Sequence, residues 1–338
     1  MLLPRLLLCL LSCVIWQAFS AASEASQRTA ALVRTDTAPV IDGVLDEPVW
    51  NEGVLLEEMI QTLPIEGDPP SERTEIRLLY DRDFLYLGIR MYDSDPGALI
   101  AKQMVHDADM TSDDRINLSF DTFNDHRNAY FFQINPAGTR SDALIENNRT
   151  FRRDWNGIWY AKSSVDDEGW SAEFAIPFKT VSFDAKGGIW GFEAERQIRR
   201  KNEVGRWANP SRNRTVVDVA GIGTLTGLGE VDGTGIDLVP NGSLRYTWDR
   251  KRKPEGTDTD TDLLANPGAE VYYKFHPSMT AALAVNTDFI EAPVDDRRTE
   301  LTRFPPFFPE RRDFFLQDAG VFEFGNIKAN GFPYFSRR

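Results

Sequence analysis

The sequence predicts an all-β fold, and three observations carry that expectation. Apolar and polar residues alternate at period two in run after run, turn-forming residues separate the runs, and helix signals are few. The 338 residues are 41% apolar and 12% aromatic, enough for two ordinary domains and too apolar for wholesale disorder.

Met1 to Trp16 carries one charge, Arg5, ahead of about ten apolar residues, and the small residues of Ala18-Phe19-Ser20-Ala21-Ala22-Ser23 follow. Residues 1–22 therefore read as a secretory signal peptide and 23–35 as the lead of the mature chain, with a lipoprotein signal at Leu10-Leu11-Ser12-Cys13 as the alternative. The 2 cysteines, Cys9 and Cys13, both fall here, so cleavage near Ser20 to Ala22 leaves none. An exported chain without disulfides fits the bacterial periplasm or outer membrane.

Asp46-Glu47-Pro48-Val49-Trp50 offers an N-cap candidate two residues before a proline, which predicts a short helix anchored by Trp50. Ile76, Leu78 and Tyr80, the turn Asp81-Arg82-Asp83, then Leu85, Leu87, Ile89 and Met91 predict a hairpin. Further strands are predicted at Ile116-Leu118-Phe120, Tyr130-Phe132-Ile134, Trp170-Phe174-Ile176 and Trp190 to Ile198, with turns at Asn135-Pro136-Ala137-Gly138, Glu168-Gly169 and Lys186-Gly187-Gly188. Each has one apolar side and one polar side, so a β-sandwich with wet outer faces is expected over residues 30–228.

The run Gly221-Ile222-Gly223-Thr224-Leu225-Thr226-Gly227-Leu228-Gly229 invites comparison with a dinucleotide loop. The third glycine of that pattern falls on Thr226 and no helical sequence follows, so it reads as a strand end or linker. Beyond it, Ile236 to Trp248 precedes a charged loop from Asp249 to Asp262. Val271, Tyr273 and Phe275 then alternate with polar residues, and Pro277-Ser278 turns the chain into Met279, Ala281, Leu283 and Val285. Strands of about nine to eleven residues with one apolar side suit a membrane barrel, and soluble antiparallel sheets share the pattern. No stretch after the leader reaches the roughly 18 to 20 apolar residues of a spanning helix, so membrane contact has to come from strands or the N-terminus. With 38 Lys+Arg against 52 Asp+Glu, a formal charge of -14 and no basic stripe, a nucleic-acid partner is excluded as a working idea.

Two sets of residues resemble known families. Pro39-Val40-Ile41-Asp42-Gly43-Val44-Leu45-Asp46-Glu47-Pro48-Val49-Trp50, Leu79-Tyr80-Asp81 with Leu85-Tyr86-Leu87, Asp113-Asp114 before Ile116, and Gly169-Trp170-Ser171-Ala172-Glu173 with Ile176-Pro177 resemble the family 9 carbohydrate-binding module over about 36–228. Asn286-Thr287-Asp288-Phe289, Leu301-Thr302-Arg303-Phe304-Pro305, Phe307-Phe308-Pro309-Glu310-Arg311-Arg312-Asp313-Phe314-Phe315 and Phe335-Ser336-Arg337-Arg338 resemble an uncharacterised bacterial family in which such a module precedes an outer-membrane β-barrel. The resemblance implies a jelly-roll-like β-sandwich followed by a partial antiparallel barrel-like sheet over 229–338. It also implies a glycan ligand, an outer-membrane or periplasmic location, and a role accessory to carbohydrate catabolism. Even the smallest single-chain barrels need about eight strands, so 229–338 is expected to be part of a longer barrel.

Sugar recognition needs an aromatic ring against the C–H face of a pyranose and planar polar side chains for its hydroxyls. Asn117, Gln133 and Glu195 lie on the polar sides of three predicted strands, with Gln197 and Arg199 further along the last, and a common sheet would let them converge. An ordinary solvated face is the alternative reading. Trp155, Trp159 and Trp207 are candidates for an aromatic platform, with core packing as their alternative. The resembled family's tryptophan pair falls here on Met110 or Thr111 and on Val216 or Val217.

Catalytic signals are missing. No carboxylate pair stands out for glycoside hydrolysis, and Asp113 and Asp114 should point to opposite faces. His106, His126 and His276 lack metal-protease spacing, and there is no Gly-x-Ser-x-Gly elbow. Binding rather than hydrolysis is expected, a glycoside hydrolase being implied only by family association. A structural or transport component with a non-glycan-binding plug or cap is the main rival. No cofactor is expected, unless Asp107, Asp109, Asp113 and Asp114 hold calcium rather than stand as solvated acids.

Overall fold

The computed structural model describes residues 28–153, 155–253 and 256–286. The expected signal peptide, both cysteines and the barrel-like motifs from Thr287 onward lie outside the described residues. In chain order the strands are β1 (Thr29–Ala31), β2 (Val33–Arg34), β3 (Val54–Leu56), β4 (Ile60–Leu63), β5 (Thr74–Tyr80), β6 (Phe84–Tyr92), β7 (Arg115–Asp121), β8 (Ala129–Ile134) and β9 (Arg140–Glu146). They continue with β10 (Thr150–Arg152), β11 (Tyr160–Asp166), β12 (Gly169–Pro177), β13 (Trp190–Ile198), β14 (Glu203–Arg206), β15 (Gly223–Thr226), β16 (Gly235–Lys253), β17 (Gly256–His276) and β18 (Met279–Val285).

These strands make three sheets. A nine-stranded sheet runs β1-β15-β13-β7-β8-β9-β10, with β14 joining β13 to β4; a six-stranded sheet runs β11-β12-β6-β5-β2, with β3 on β5; β16-β17-β18 form the third. β1 lies parallel to β15 and β2 parallel to β5, so the segment 29–34 stitches the two large sheets together, ahead of residue 36. Among the described residues the chain is all-β, with only short 3-10 turns besides strands.

The alternation read from the sequence sets the core. Ile116, Leu118 and Phe120 of β7, Phe132 and Ile134 of β8 and Phe192 of β13 face Ile76 and Leu78 of β5, Leu87 and Ile89 of β6, and Trp170 and Phe174 of β12. All are buried, at roughly 1.5–3 kcal/mol for each large apolar side chain removed from water. One end is closed by aromatic packing: Trp190 lies 5.7 Å from Phe183, 5.9 Å from Phe178 and 6.3 Å from Phe120. At the other end Arg196, buried on the inward side of β13, donates to the carbonyls of Arg73 and Tyr92 and to the Thr74 hydroxyl, which ties the nine-stranded sheet to the six-stranded one.

Two separated sequence motifs prove to be contact partners. Glu173 points outward from β12, and its carboxylate accepts the amides of Asp42 and Gly43 and the Trp50 indole N–H at 2.8, 2.7 and 3.0 Å. Gly43 has φ +98, a conformation suited to glycine, and its carbonyl accepts the Ser171 hydroxyl. The Pro39–Trp50 segment thereby lies on the outer face of the six-stranded sheet, where Val49 and Trp50 pack on Leu79, Tyr86 and Ala175. Burial pushes Glu173 up to about 7 despite those three donors.

Two local expectations are corrected. The turn at 48–52 is a 3-10 helix capped by Glu47 rather than Asp46, with no side-chain cap bond, because Trp50 burial fixes the segment instead. The charged stretch 249–262 is not a long loop: β16 and β17 continue through it as a hairpin paired from Gly235–Lys274 to Lys253–Gly256, since alternating Thr and Asp keep the two-residue rhythm.

Candidate functional site

The candidate site is the outer face of the nine-stranded sheet. Cross-strand register puts Arg206 of β14, Glu195 of β13, Asn117 of β7, Gln133 of β8 and Ser141 of β9 in one row, and Val204, Gln197 and Arg115 in the next. Strand spacing of roughly 4.8 Å brings such planar side chains within bonding reach. Gln133 Nε2 donates to Asn117 Oδ1 at 2.6 Å, Asn117 Nδ2 donates to Glu195 Oε1 at 2.9 Å, and Arg206 Nε donates to Glu195 Oε2 at 2.7 Å. The sequence-predicted Asn117, Gln133 and Glu195 are thus brought together, with Gln197 one pleat along and Arg199 half-buried just past the end of β13.

This face is not the wet surface the alternation predicts. Asn117, Gln133, Glu195 and Gln197 are all buried, at 8% exposure or less. The segment 207–222 folds back over one side of it. Glu193 Oε1 and Oε2 accept the amides of Ala208 and Asn209, Arg206 donates to the Arg214 carbonyl, and Val219 and Ile222 pack on Phe131, Ala143 and Ile145. The space left between that segment and Asn117, Ser119, Glu193 and Glu195 is about 10 Å³, room for about one water. Burial pushes Glu193 up to about 7.

The other side carries Arg115, which sequence reasoning did not single out. Its guanidinium donates to the carbonyls of Met110 and Asp113, its Nε is buried without a hydrogen-bond partner, and among the described residues no carboxylate lies within ion-pair distance. Burial lowers its pKa; the nearby Glu195 carboxylate opposes that, and the charge of Arg199 adds to it. The signal was available: Arg115 stands two residues before Asn117, hence on the same face.

The three tryptophans do not form the expected platform. Trp159 stacks on Phe174 at 5.9 Å beneath the Arg140 guanidinium, and Trp207 packs on Phe192 at 5.6 Å; both are core residues. Trp155 is also core, 5.2 Å from Tyr130, although it borders a cavity of about 330 Å³ shared with Phe123, Asn128, Lys179 and Lys274. Large rings fill the space between sheets better than shorter side chains, and burial wins over exposure.

The four aspartates do not converge on a cation either. Asp113 Oδ2 accepts the amides of Lys102 and Gln103 and the Asn135 side chain, and Asp114 accepts the amides of Ile100 and Arg199. They point to opposite sides and clamp loops. Asp109 caps its own turn at Thr111, and Asp107 stands near His106 and Asp142 instead.

No protein-family model matches the sequence, and no curated protein matches it. The structure is similar to a family 9 carbohydrate-binding module from Caldicellulosiruptor kristjanssonii solved with cellotriose (17% identity, TM-score 0.44, 59% of this chain and 93% of that one). The glucose complex of such a module from the same organism gives 16% identity, a TM-score of 0.44, and 59% and 95% coverage. A protein from Bacteroides uniformis, named for an inferred carbohydrate-binding role, gives 14% identity, a TM-score of 0.50, and 59% and 99% coverage. At such identities the last likeness shows a shared fold alone: this chain contains an all-β sandwich.

Proposed function

We propose that the sandwich binds a carbohydrate on the outer face of the nine-stranded sheet, at the side formed by Arg115, Gln133, Gln197 and Arg199. The observation that carries this reading is Arg115: a buried guanidinium with an unpartnered Nε, near the Glu195 charge but in no direct ion pair among the described residues, is expensive to keep, and hydroxyls of a sugar would satisfy its Nε. Asn117, Glu195 and Arg206 stand behind it as a fixed hydrogen-bonded row that orients Gln133. The cellotriose and glucose bound by the neighbouring modules make a glucose polymer the first ligand to try.

The reading extends to the cell envelope. Ile236, Leu238, Leu244, Tyr246 and Trp248 of β16 share one face with Leu263 and Tyr273 of β17 and Leu283 and Val285 of β18, all exposed. Tyr246 and Trp248 lie toward one end of this apolar band and Tyr273 toward the other, an arrangement suited to lipid chains between two polar interfaces. We propose export, an outer-membrane location for this sheet and a part in carbohydrate catabolism. The closure of half the outer face by segment 207–222 favours a rival in which the sandwich only caps a barrel.

A glycan array followed by calorimetry on the full chain tests the binding claim. Binding is expected to weaken at least about tenfold in Arg115→Ala and Gln133→Ala, in line with losing one or two hydrogen bonds to a charged or planar group. No signal on any glycan, or unchanged affinity in both variants, rejects it and favours the cap. Fractionation of the expressing cells tests the location, and recovery in the cytoplasm rejects it.

A further inference from the structure

We propose that His106, Asp107 and Asp142 form a binding site for a divalent transition-metal cation, with zinc as the first candidate. This does not depend on the glycan reading. The three side chains come from two parts of the chain, a loop before β7 and the strand β9, and their ligand atoms all lie within 4.8 Å of one another. His106 Nδ1 stands 2.7 Å from Asp107 Oδ2.

Asp142 supplies the independent observation. It is 1% exposed; Oδ2 accepts the Gly157 amide at 2.6 Å and the Trp159 indole N–H stands near the carboxylate, while Oδ1 makes no hydrogen bond of good geometry. A buried carboxylate oxygen left unpaired costs free energy, and here it belongs to a cluster that already holds a second carboxylate. Two like charges at this range repel, and a cation between them removes both penalties.

The surroundings hold the donors in place. The Asp107 amide donates to the Arg140 carbonyl at 3.1 Å, and Asp107 Oδ1 accepts the Asp142 amide at 3.3 Å. The Gly157 amide fixes the Asp142 carboxylate from behind, as outer partners of metal ligands do. His106 is half exposed, so water can complete the coordination from that side.

The donor chemistry selects the class of ion. One imidazole nitrogen and two carboxylates make a three-ligand set with an open position, which suits zinc or cobalt. Calcium takes six to eight oxygens and magnesium prefers oxygen in a strict octahedron, so neither fits as well. Bound there, the ion would fasten the loop 104–109 to β9 and, through Asp142, to the segment 155–159.

The test uses the full chain stripped with a chelator. Calorimetric titration with Zn²⁺ is expected to give one site, and Co²⁺ a visible absorption band of low-symmetry coordination. His106→Ala and Asp142→Asn should each weaken Zn²⁺ binding by more than about tenfold, and His276→Ala should not. Because Asp142 also holds Gly157, the exposed His106 separates loss of a ligand from loss of the fold. No binding of either ion by the unsubstituted chain, or undiminished affinity in His106→Ala, overturns the proposal.

Discussion

Ile116, Leu118 and Phe120 in β7 are at most 1% exposed, whereas Leu238, Leu244 and Trp248 in β16 are 64%, 71% and 56% exposed, although both strands alternate apolar and polar residues in the same way. The first set faces another sheet; the second faces none of the described residues. Alternation therefore says which residues share a face and leaves open what covers it. Contiguous exposed apolar surface of this kind is what an interaction with lipid or another apolar surface uses.

The sharpest way to break the contrast is to remove a tryptophan from each region. Trp170→Ala, 1% exposed in the sandwich, is expected to cost about 3–5 kcal/mol in urea denaturation. Arg196→Ala should cost somewhat less, about 2–4 kcal/mol, because it takes a donor from the Arg73 and Tyr92 carbonyls and the Thr74 hydroxyl and a charge from beside the buried Asp93, which keeps its pair with Arg200. A loss under about 1 kcal/mol in both would mean that this core is not the source of stability.

An intermediate effect is expected at Gly88 of β6. A Cβ there would stand 2.7 Å from the Leu45 side chain and 2.9 Å from the Trp50 ring, so Gly88→Ala should cost about 1–3 kcal/mol by lifting the Pro39–Trp50 segment. Loss of Trp50 burial, read by fluorescence, would accompany it.

Acidity sharpens the same region. Glu173 and Glu193 are both pushed up to about 7 by burial, so the native chain binds more protons than the unfolded one between about 4.5 and 7. Their effect is that stability falls as pH rises through that window. Glu72 works in reverse: burial raises it, yet hydrogen bonds from Lys201, Ser94 and Arg200 outweigh this and hold it at about 2. Its contribution is present above about 4.5 and lost as pH falls toward 2. Glu193→Gln should flatten the upper limb and Glu72→Gln the lower, in urea midpoints measured across pH. An unchanged upper limb in Glu193→Gln would mean that Glu193 is ionised in the fold at neutral pH.

The smallest expected effect closes the comparison. Trp248→Ala should change stability in aqueous solution by less than about 0.5 kcal/mol, as an exposed substitution does. In vesicles carrying brominated acyl chains, the fluorescence quenching that Trp248 contributes should disappear with it. Absence of quenching in the unsubstituted chain would count against lipid contact.

Much of the architecture was legible before any coordinates. The hairpin of β5 and β6, the strand Trp190–Ile198 and the shared face of Asn117, Gln133 and Glu195 all follow from period two, because a pleated strand allows no other placement of successive side chains. The features that local pattern left unspecified are long-range. Arg115 stood on the same face as Asn117, but nothing local showed that its Nε would be buried without a partner. The tryptophans were visible as large rings, but whether Trp159 meets Phe174 or solvent depends on a second sheet.

Local pattern alone gives the order of strands along the chain, the apolar and polar sides of each strand, and the turns between them, since these depend on neighbours within a few residues. Which polar side stays open depends on how the sheets and their connecting segments pack. The fold-back of 207–222 over Glu193, the meeting of Asp42, Gly43 and Trp50 on Glu173, and the approach of His106 to Asp142 join residues far apart in the chain. Such contacts form only when the sheets pack, because burial and hydrogen bonding between distant segments offset the entropy of bringing them together.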